Sequence, residues 1–315
     1  DKFKINKNIL FIFSLIILLS PYFRSSAIWL LGDNLSLIFL GLSIFYFNKV
    51  DELNNNNFKN YFLCMFFLIL CCYIRYYYCL FSLYFLFLFY QKLQRKYFFL
   101  LITISFILSL PAIFYLYYIF LNFDFGATVT NFTRFNIHNN FLIILSILLF
   151  YLLPFCILQK KIFFEYLRNY KKQILIFSIL YFTLYFIVHL FFKDLINFSS
   201  KGGGVFMKIA NLNNIDPSLF LSTISFISLV ILDYFFRARR IQNYSLLIIL
   251  IFSFPIYTIY QKYFDPLFFL FFFGLIKSGE FENIFLKGKN LLILTLIYFS
   301  FFYCSSLIYY SKGFY

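Results

Sequence analysis

Charge is scarce in this chain. Only 12% of its 315 residues are Asp, Glu, Lys or Arg, about half the ~25% of an ordinary soluble domain. Carboxylates are the scarcer sign, 12 against 27 Lys and Arg. There are six scattered cysteines and no internal repeat, which excludes a disulfide scaffold and a fibrous class. No Cys-x-x-Cys or Cys/His spacing points to a metal. The cysteines all lie inside apolar runs and read as small packing residues. What fills the chain instead is apolar: 63% AVILMFWYC, with 54 Phe and 28 Tyr. No soluble core needs that much apolar surface, and no disordered chain would carry it. The chain therefore reads as a polytopic membrane protein.

Apolar runs cover approximately 9–22, 27–47, 61–90, 97–121, 141–158, 174–192, 219–236, 244–276 and 291–310. Most match the ~20 residues that span a ~30 Å hydrocarbon core as helix. The run 61–90 is too long, at ~45 Å, and so is 244–276, at ~50 Å. Both carry polar residues in the middle: Arg75 in CCYIRYYYC, and Lys262 and Asp265 in YQKYFDPL. A charge at the bilayer centre costs about 2.5–3.5 kcal/mol on insertion scales. A hairpin with its apex at one face avoids that cost, and Pro266 favours a break there. With both runs as hairpins, the loops on one face hold nineteen Lys and Arg and those on the other hold eight. The basic residues then set orientation, with no nucleic-acid partner implied, and the nineteen-residue face is cytoplasmic. The expected fold is all-α: a transmembrane bundle of about eleven membrane segments in one integral membrane domain, 1–315, with the N-terminus cytoplasmic. Each hairpin arm, at ~22 Å, falls short of the hydrocarbon thickness. The apices are therefore expected below the outer membrane surface, as a submerged polar site.

On that orientation the unusual polar residues gather on the outer face. They are Arg24 and Asp33 in SPYFRSSAIWLLGDN, Arg75, and Asp124, Arg134 and His138 in loop 122–140. His189, Gly202, Gly203, Gly204, Lys208, Gln261, Lys262 and Asp265 follow. The cytoplasmic loops offer short basic runs such as RARR (237–240) and little else. Each outer residue has a structural counterpart reading. Arg24 snorkels or meets an aromatic face, Asp33 pairs with Arg24, and His189 is a satisfied helix-end histidine. The glycines form a loose loop or a backbone nest for an anion. Arg75 sits too deep for snorkelling alone.

An outward cavity with several cations and a few carboxylates among lipids suits a lipid-linked phosphate. Arg75, Lys262, Arg24 and Arg134 are the candidate phosphate-binding residues. Asp124, His138, Gly202, Gly203 and Gln261 are candidates for the rest of the substrate. Cations at a leaving lipid phosphate stabilise the charge that develops during sugar transfer. A carboxylate is expected to take the proton of the acceptor hydroxyl, with Asp33 and Asp265 the catalytic candidates and Asp124 a further alternative.

Three segments, SPYFRSSAIWLLGDN (20–34), IRYYYCLFSLY (74–84) and YQKYFDP (260–266), are similar to segments of bacterial members of the GT-C superfamily of polytopic membrane glycosyltransferases. The Arg followed by aromatics also resembles the dolichyl-phosphate-glucose-dependent glucosyltransferases. The resemblance covers about a third of the chain. It implies a GT-C-like fold and an inverting hexosyltransferase. Sugar would pass from a polyprenyl-phosphate-linked donor to a glycan or lipid-linked acceptor on the periplasmic or lumenal face, in a bacterial inner membrane. Members carry a catalytic acid in the first outer loop, whereas PYFRSS has none before Asp33. The chain begins with Asp1 rather than Met, and the expectation is a piece lacking two leading helices, with the usual base upstream. No cofactor is called for, and a divalent metal is left open. Two other readings share the lipid-linked glycan: a flippase, which would show internal repeats, and an O-antigen-polymerase-like enzyme with a long Arg-rich outer loop.

Overall fold

The computed structural model describes residues 32–53, 57–122, 137–191, 198, 202–256, 258–286 and 289–311. Regular structure among the described residues is helical, without a strand. In chain order the helices are α1 (Gly32–Leu53), α2 (Phe58–Ile74), α3 (Phe81–Lys92), α4 (Arg95–Asn122), α5 (Ile137–Leu158), α6 (Lys160–Asn169), α7 (Lys171–Phe191), α8 (Gly204–Leu212), α9 (Pro217–Phe236), α10 (Arg240–Phe252), α11 (Asp265–Phe269), α12 (Gly279–Leu286) and α13 (Lys289–Ser311). Short 3-10 turns cover Tyr76–Leu80, Arg237–Arg239 and Gln261–Tyr263, and α11 runs on into a π turn, Leu270–Leu275.

Among the described residues five helical stretches are long and apolar enough to cross a bilayer: Arg95–Tyr115, Ile137–Leu158, Lys171–Phe191, Pro217–Phe252 and Asn290–Ile308. They differ in what surrounds them. α5 is the central helix, buried over 72% of its span, whereas α7 is buried over only 6%. Rim side chains such as Phe114 and Leu180 stand open. In water that apolar area would cost about 25 cal/mol per Å². A bilayer is its solvent, and the chain is an integral membrane protein.

Both over-long runs fold back. Tyr61, near the start of α2, lies 4.8 Å ring to ring from Phe89, near the end of α3; one continuous helix would hold them ~42 Å apart. Asn243 and Lys277 bracket the second run. The Asn243 amide donates to the Lys277 carbonyl at 3.0 Å and accepts the Lys277 N–H at 3.2 Å, again where a straight helix would separate them by ~51 Å. The stretch Pro217–Phe252 also reverses, at Arg237–Arg239. Ser225 of α9 donates to the Leu142 carbonyl, and Asn140 donates to the carbonyls of Phe254 and Ile256, just past α10. The middle of α9 and the far end of α10 therefore both lie beside the first turns of α5.

Local chemistry sets the breaks. Arg75 is extended (φ −138°, ψ 102°) and ends α2, its N–H still reaching the Cys71 carbonyl. Asp216 caps α9, accepting the N–H groups of Ser218 and Leu219, with Pro217 in the first turn, where a missing N–H has no consequence. Pro154 lies inside α5 and removes the hydrogen bond that the Phe150 carbonyl would accept. The Tyr298 hydroxyl of α13 supplies it instead, at 2.9 Å. In hydrocarbon such a carbonyl needs a partner from protein.

Candidate functional site

The site lies at the end of the bundle holding both hairpin turns, here the apex end; the opposite end is the base. It starts from a helix pair. α1 and α2 run antiparallel, pinned where the Ser43 hydroxyl donates to the Cys64 carbonyl at 2.8 Å. Counting ten residues back from Ser43 reaches Asp33, and eleven forward from Cys64 reaches Arg75, similar rises of ~15 and ~16.5 Å. Asp33, in the first turn of α1, therefore meets Arg75 just past the last turn of α2. The Arg75 Nε and Asp33 Oδ1 are 2.5 Å apart. Arg75 Nε makes no well-aligned hydrogen bond, so the contact is an ion pair set by distance. The side chains remain 32% and 18% exposed, which keeps both open to a ligand.

The second apex closes over the first through aromatic rings. Tyr77, two residues after Arg75, lies 5.3 Å from Phe254 and 6.0 Å from Tyr263. Phe254 stacks on Tyr263 at 6.1 Å. Lys262 holds its ammonium over the rings of Tyr260 and Tyr263, at 5.2 and 5.6 Å. Arg75, Asp33, Lys262 and three tyrosines thus form one polar and aromatic surface across the two turns.

Gln261 points the other way. It is buried, donates to the Tyr151 hydroxyl at 3.3 Å and accepts the Val205 N–H at 3.0 Å. It also lines an apolar cavity of about 410 Å³ between α5, α8 and α13, walled by Phe150, Phe206, Tyr298 and Phe302, with Lys208 beside it. Burial pushes the Lys208 ammonium below its ordinary value.

The structure joins some sequence candidates and separates others. Arg75 and Asp33 are paired, and Lys262 and Gln261 occupy the second turn. Asp265 is 1% exposed and is not among the residues that line the cavity beside Gln261. Gly202 and Gly203 lie against the second turn in left-handed backbone, φ 89° and 77°. The Gly203 N–H donates to the Ile259 carbonyl at 2.8 Å, and a Cβ on Gly202 would come within 2.6 Å of that oxygen. The N–H that an anion nest would use at Gly203 is engaged by protein, and the glycines let two loops touch. His138 belongs to another group, stacked with Tyr185, which stacks in turn on His189. Arg24, Asp124 and Arg134 lie outside the described residues, as does any pairing of Asp33 with Arg24. Among the described residues no group of three or more His, Cys, Asp or Glu could hold a metal ion.

At the base end, a loop expected to offer little beyond RARR belongs to a dense polar network. Asp233 accepts from Tyr166 (2.8 Å), Arg240 (3.1 Å) and Tyr244 (2.9 Å). The Tyr234 hydroxyl reaches Gln159 and Glu280, and the Gln159 amide donates to the Glu280 carbonyl. The sequence hid this network because its members sit singly inside or beside apolar runs, 46 to 121 residues apart along most of these bonds.

Comparisons with protein-family models, with characterised proteins and with solved structures find no match.

Proposed function

We propose that this chain is a membrane glycosyltransferase of GT-C type, which moves a sugar from a polyprenyl-phosphate-linked donor to a glycan or lipid-linked acceptor with inversion. The observation that carries the reading is the Arg75–Asp33 pair, set between two hairpin turns and still part-exposed. In this reading the bundle has about eleven membrane segments, with the apex end facing the periplasm of a bacterial inner membrane. The excess of Lys and Arg in the base-end loops supports that orientation.

Arg75 and Lys262 hold the donor phosphate, and Arg75 suits it because a guanidinium can engage two phosphate oxygens at once. The acceptor hydroxyl attacks the anomeric carbon from the side opposite the phosphate. The carbon–oxygen bond to phosphate breaks as the new glycosidic bond forms, the polyprenyl phosphate leaves with the electron pair, and Asp33 takes the hydroxyl proton. Tyr77, Tyr260 and Tyr263 offer flat faces to the sugar. The cavity beside Gln261 takes the first isoprene units of the tail, its lining being almost wholly apolar apart from Lys208, Gln261 and two serines.

The test is sugar transfer from synthetic polyprenyl-phosphate sugars by the purified protein in lipid nanodiscs, beside Arg75→Ala and Asp33→Asn. Transfer lost in both variants, with membrane insertion intact, supports the reading. Unchanged transfer in Arg75→Ala sinks the phosphate role. No transfer by any form, alongside movement of lipid-linked glycan across liposomes, assigns the protein to the flippases instead.

A further inference from the structure

A second cavity, of about 360 Å³, lies at the base end between α7, α9 and α10. Its mouth is polar, with Tyr170, Gln173, Asp233 and Arg240, and its walls are apolar, with Ile174 and Phe177 from α7 and Leu229 and Val230 from α9. The geometry points to a binding site for an anionic membrane phospholipid. The phosphodiester rests against Arg240 and an acyl chain runs between α7 and α9. This inference stands apart from the sugar-transfer reading.

Charge selects an anion. Both oxygens of Asp233 are engaged, by Tyr166, Arg240 and Tyr244. Arg240 has five N–H donors, gives one to Asp233 at 3.1 Å, and remains 48% exposed. Arg237 lies over the rings of Tyr166 and Tyr170, at 4.8 and 4.9 Å. Two guanidinium groups against one carboxylate leave an excess positive charge at the mouth. Lys171 and Lys172, in the first turn of α7, are both exposed.

Packing selects a lipid over a free anion. The half of α7 nearer the apex end is tied to α9 through the Tyr181 hydroxyl on the Ser222 carbonyl (3.2 Å) and the Tyr185–Ser218 hydroxyl pair (2.7 Å). Towards the base the two helices are separated by this cavity, below the contact of Phe177 with Phe226. α7 otherwise shows apolar side chains outward along its length, so the gap opens on the bilayer. A molecule with an anionic head and an apolar tail fills both parts. The cavity volume, at the low end for small-molecule sites, suits a headgroup and the first part of one chain.

The experiment uses the whole chain, delipidated in detergent, read by native mass spectrometry and thermal unfolding with phosphatidylglycerol, phosphatidylcholine or inorganic phosphate. Phosphatidylglycerol should bind and raise the unfolding temperature, and phosphatidylcholine should bind at least about tenfold more weakly. Arg240→Gln should weaken phosphatidylglycerol about tenfold and leave phosphatidylcholine unmoved. Ile174→Trp fills the apolar wall without touching the polar network, and should block the lipid in a protein that still unfolds cooperatively. Equal binding of the two lipids by the wild type overturns the proposal, as does full phosphatidylglycerol binding by Ile174→Trp. Inorganic phosphate alone producing the whole thermal shift also overturns it, in favour of a free-anion site.

Discussion

At the base end Asp233, Gln159 and Asn243 each have both polar atoms of the side chain engaged by protein. At the apex end Arg75 makes one close contact with Asp33 and leaves about a third of its side chain open. All are polar side chains, and the accounting differs. A saturated polar network in a low-dielectric interior holds helices in one arrangement, because losing any member strands the others. A cation with donors to spare can meet a ligand. In the proposed reading the saturated residues of the base keep the bundle in register and the part-open cation of the apex meets the donor, and substitutions can break that contrast at either end.

The largest effect is expected from Arg75→Ala, which should lower sugar transfer about 100-fold or more if the guanidinium meets the leaving phosphate. Its unfolding temperature should move little, since the residue is part-exposed. Next comes Asn243→Leu. It leaves the Lys277 N–H and the carbonyls of Lys277 and Phe236 without their partner, and should destabilise the protein by about 2–3 kcal/mol. Per folded molecule its transfer rate should match the wild type. If Asn243→Leu lost activity and kept its stability, the division between the two ends would fail.

Much of this was legible in the sequence, for reasons that can be stated. The two hairpins were forced by run length and by charges at the middle of each run, and the distances Tyr61–Phe89 and Asn243–Lys277 show the fold-back. Arg75 stood out because an arginine in CCYIRYYYC sits too deep in an apolar run for snorkelling alone. Its partner did not stand out. The pairing with Asp33 depends on the register of α1 against α2, which the Ser43–Cys64 contact sets and which no local pattern encodes. The meeting of Tyr77 with Tyr263 is likewise a long-range contact between two turns. The glycines left two readings open for another reason. A run of glycine signals unusual backbone, but whether its N–H groups face an anion or a neighbouring carbonyl is decided by what packs there, and at Gly203 that is Ile259.

A comparable effect is expected at that glycine. Gly203→Ala puts a Cβ within 2.6 Å of Met207 at φ 77°, so the start of α8 must shift in addition to the about 1–2 kcal/mol that a left-handed conformation costs an ordinary residue. The drop in unfolding temperature should be similar to that of Asn243→Leu, with the apex loosened and the base intact. Hydrogen exchange should then speed up at Val205 and Ile259 before it does at Asn243; the reverse order would mean that the two ends do not unfold independently.

The smallest effect is the sharpest test of the apex cavity. Burial lowers the Lys208 ammonium below its ordinary value, so in the alkaline range beneath that value the unfolded chain holds this proton more tightly than the folded one. Stability should therefore rise with pH as the ordinary lysine range, near ~10.4, is approached from below, and Lys208→Met should flatten the rise. A prenyl chain seated in the cavity, with its phosphate at Arg75 and Lys262, would strip more water from the ammonium and lower its proton affinity further. The ligand should steepen the slope in the wild type and leave Lys208→Met unchanged. A slope that prenyl phosphate does not alter would mean that the donor's tail lies outside the cavity beside Gln261.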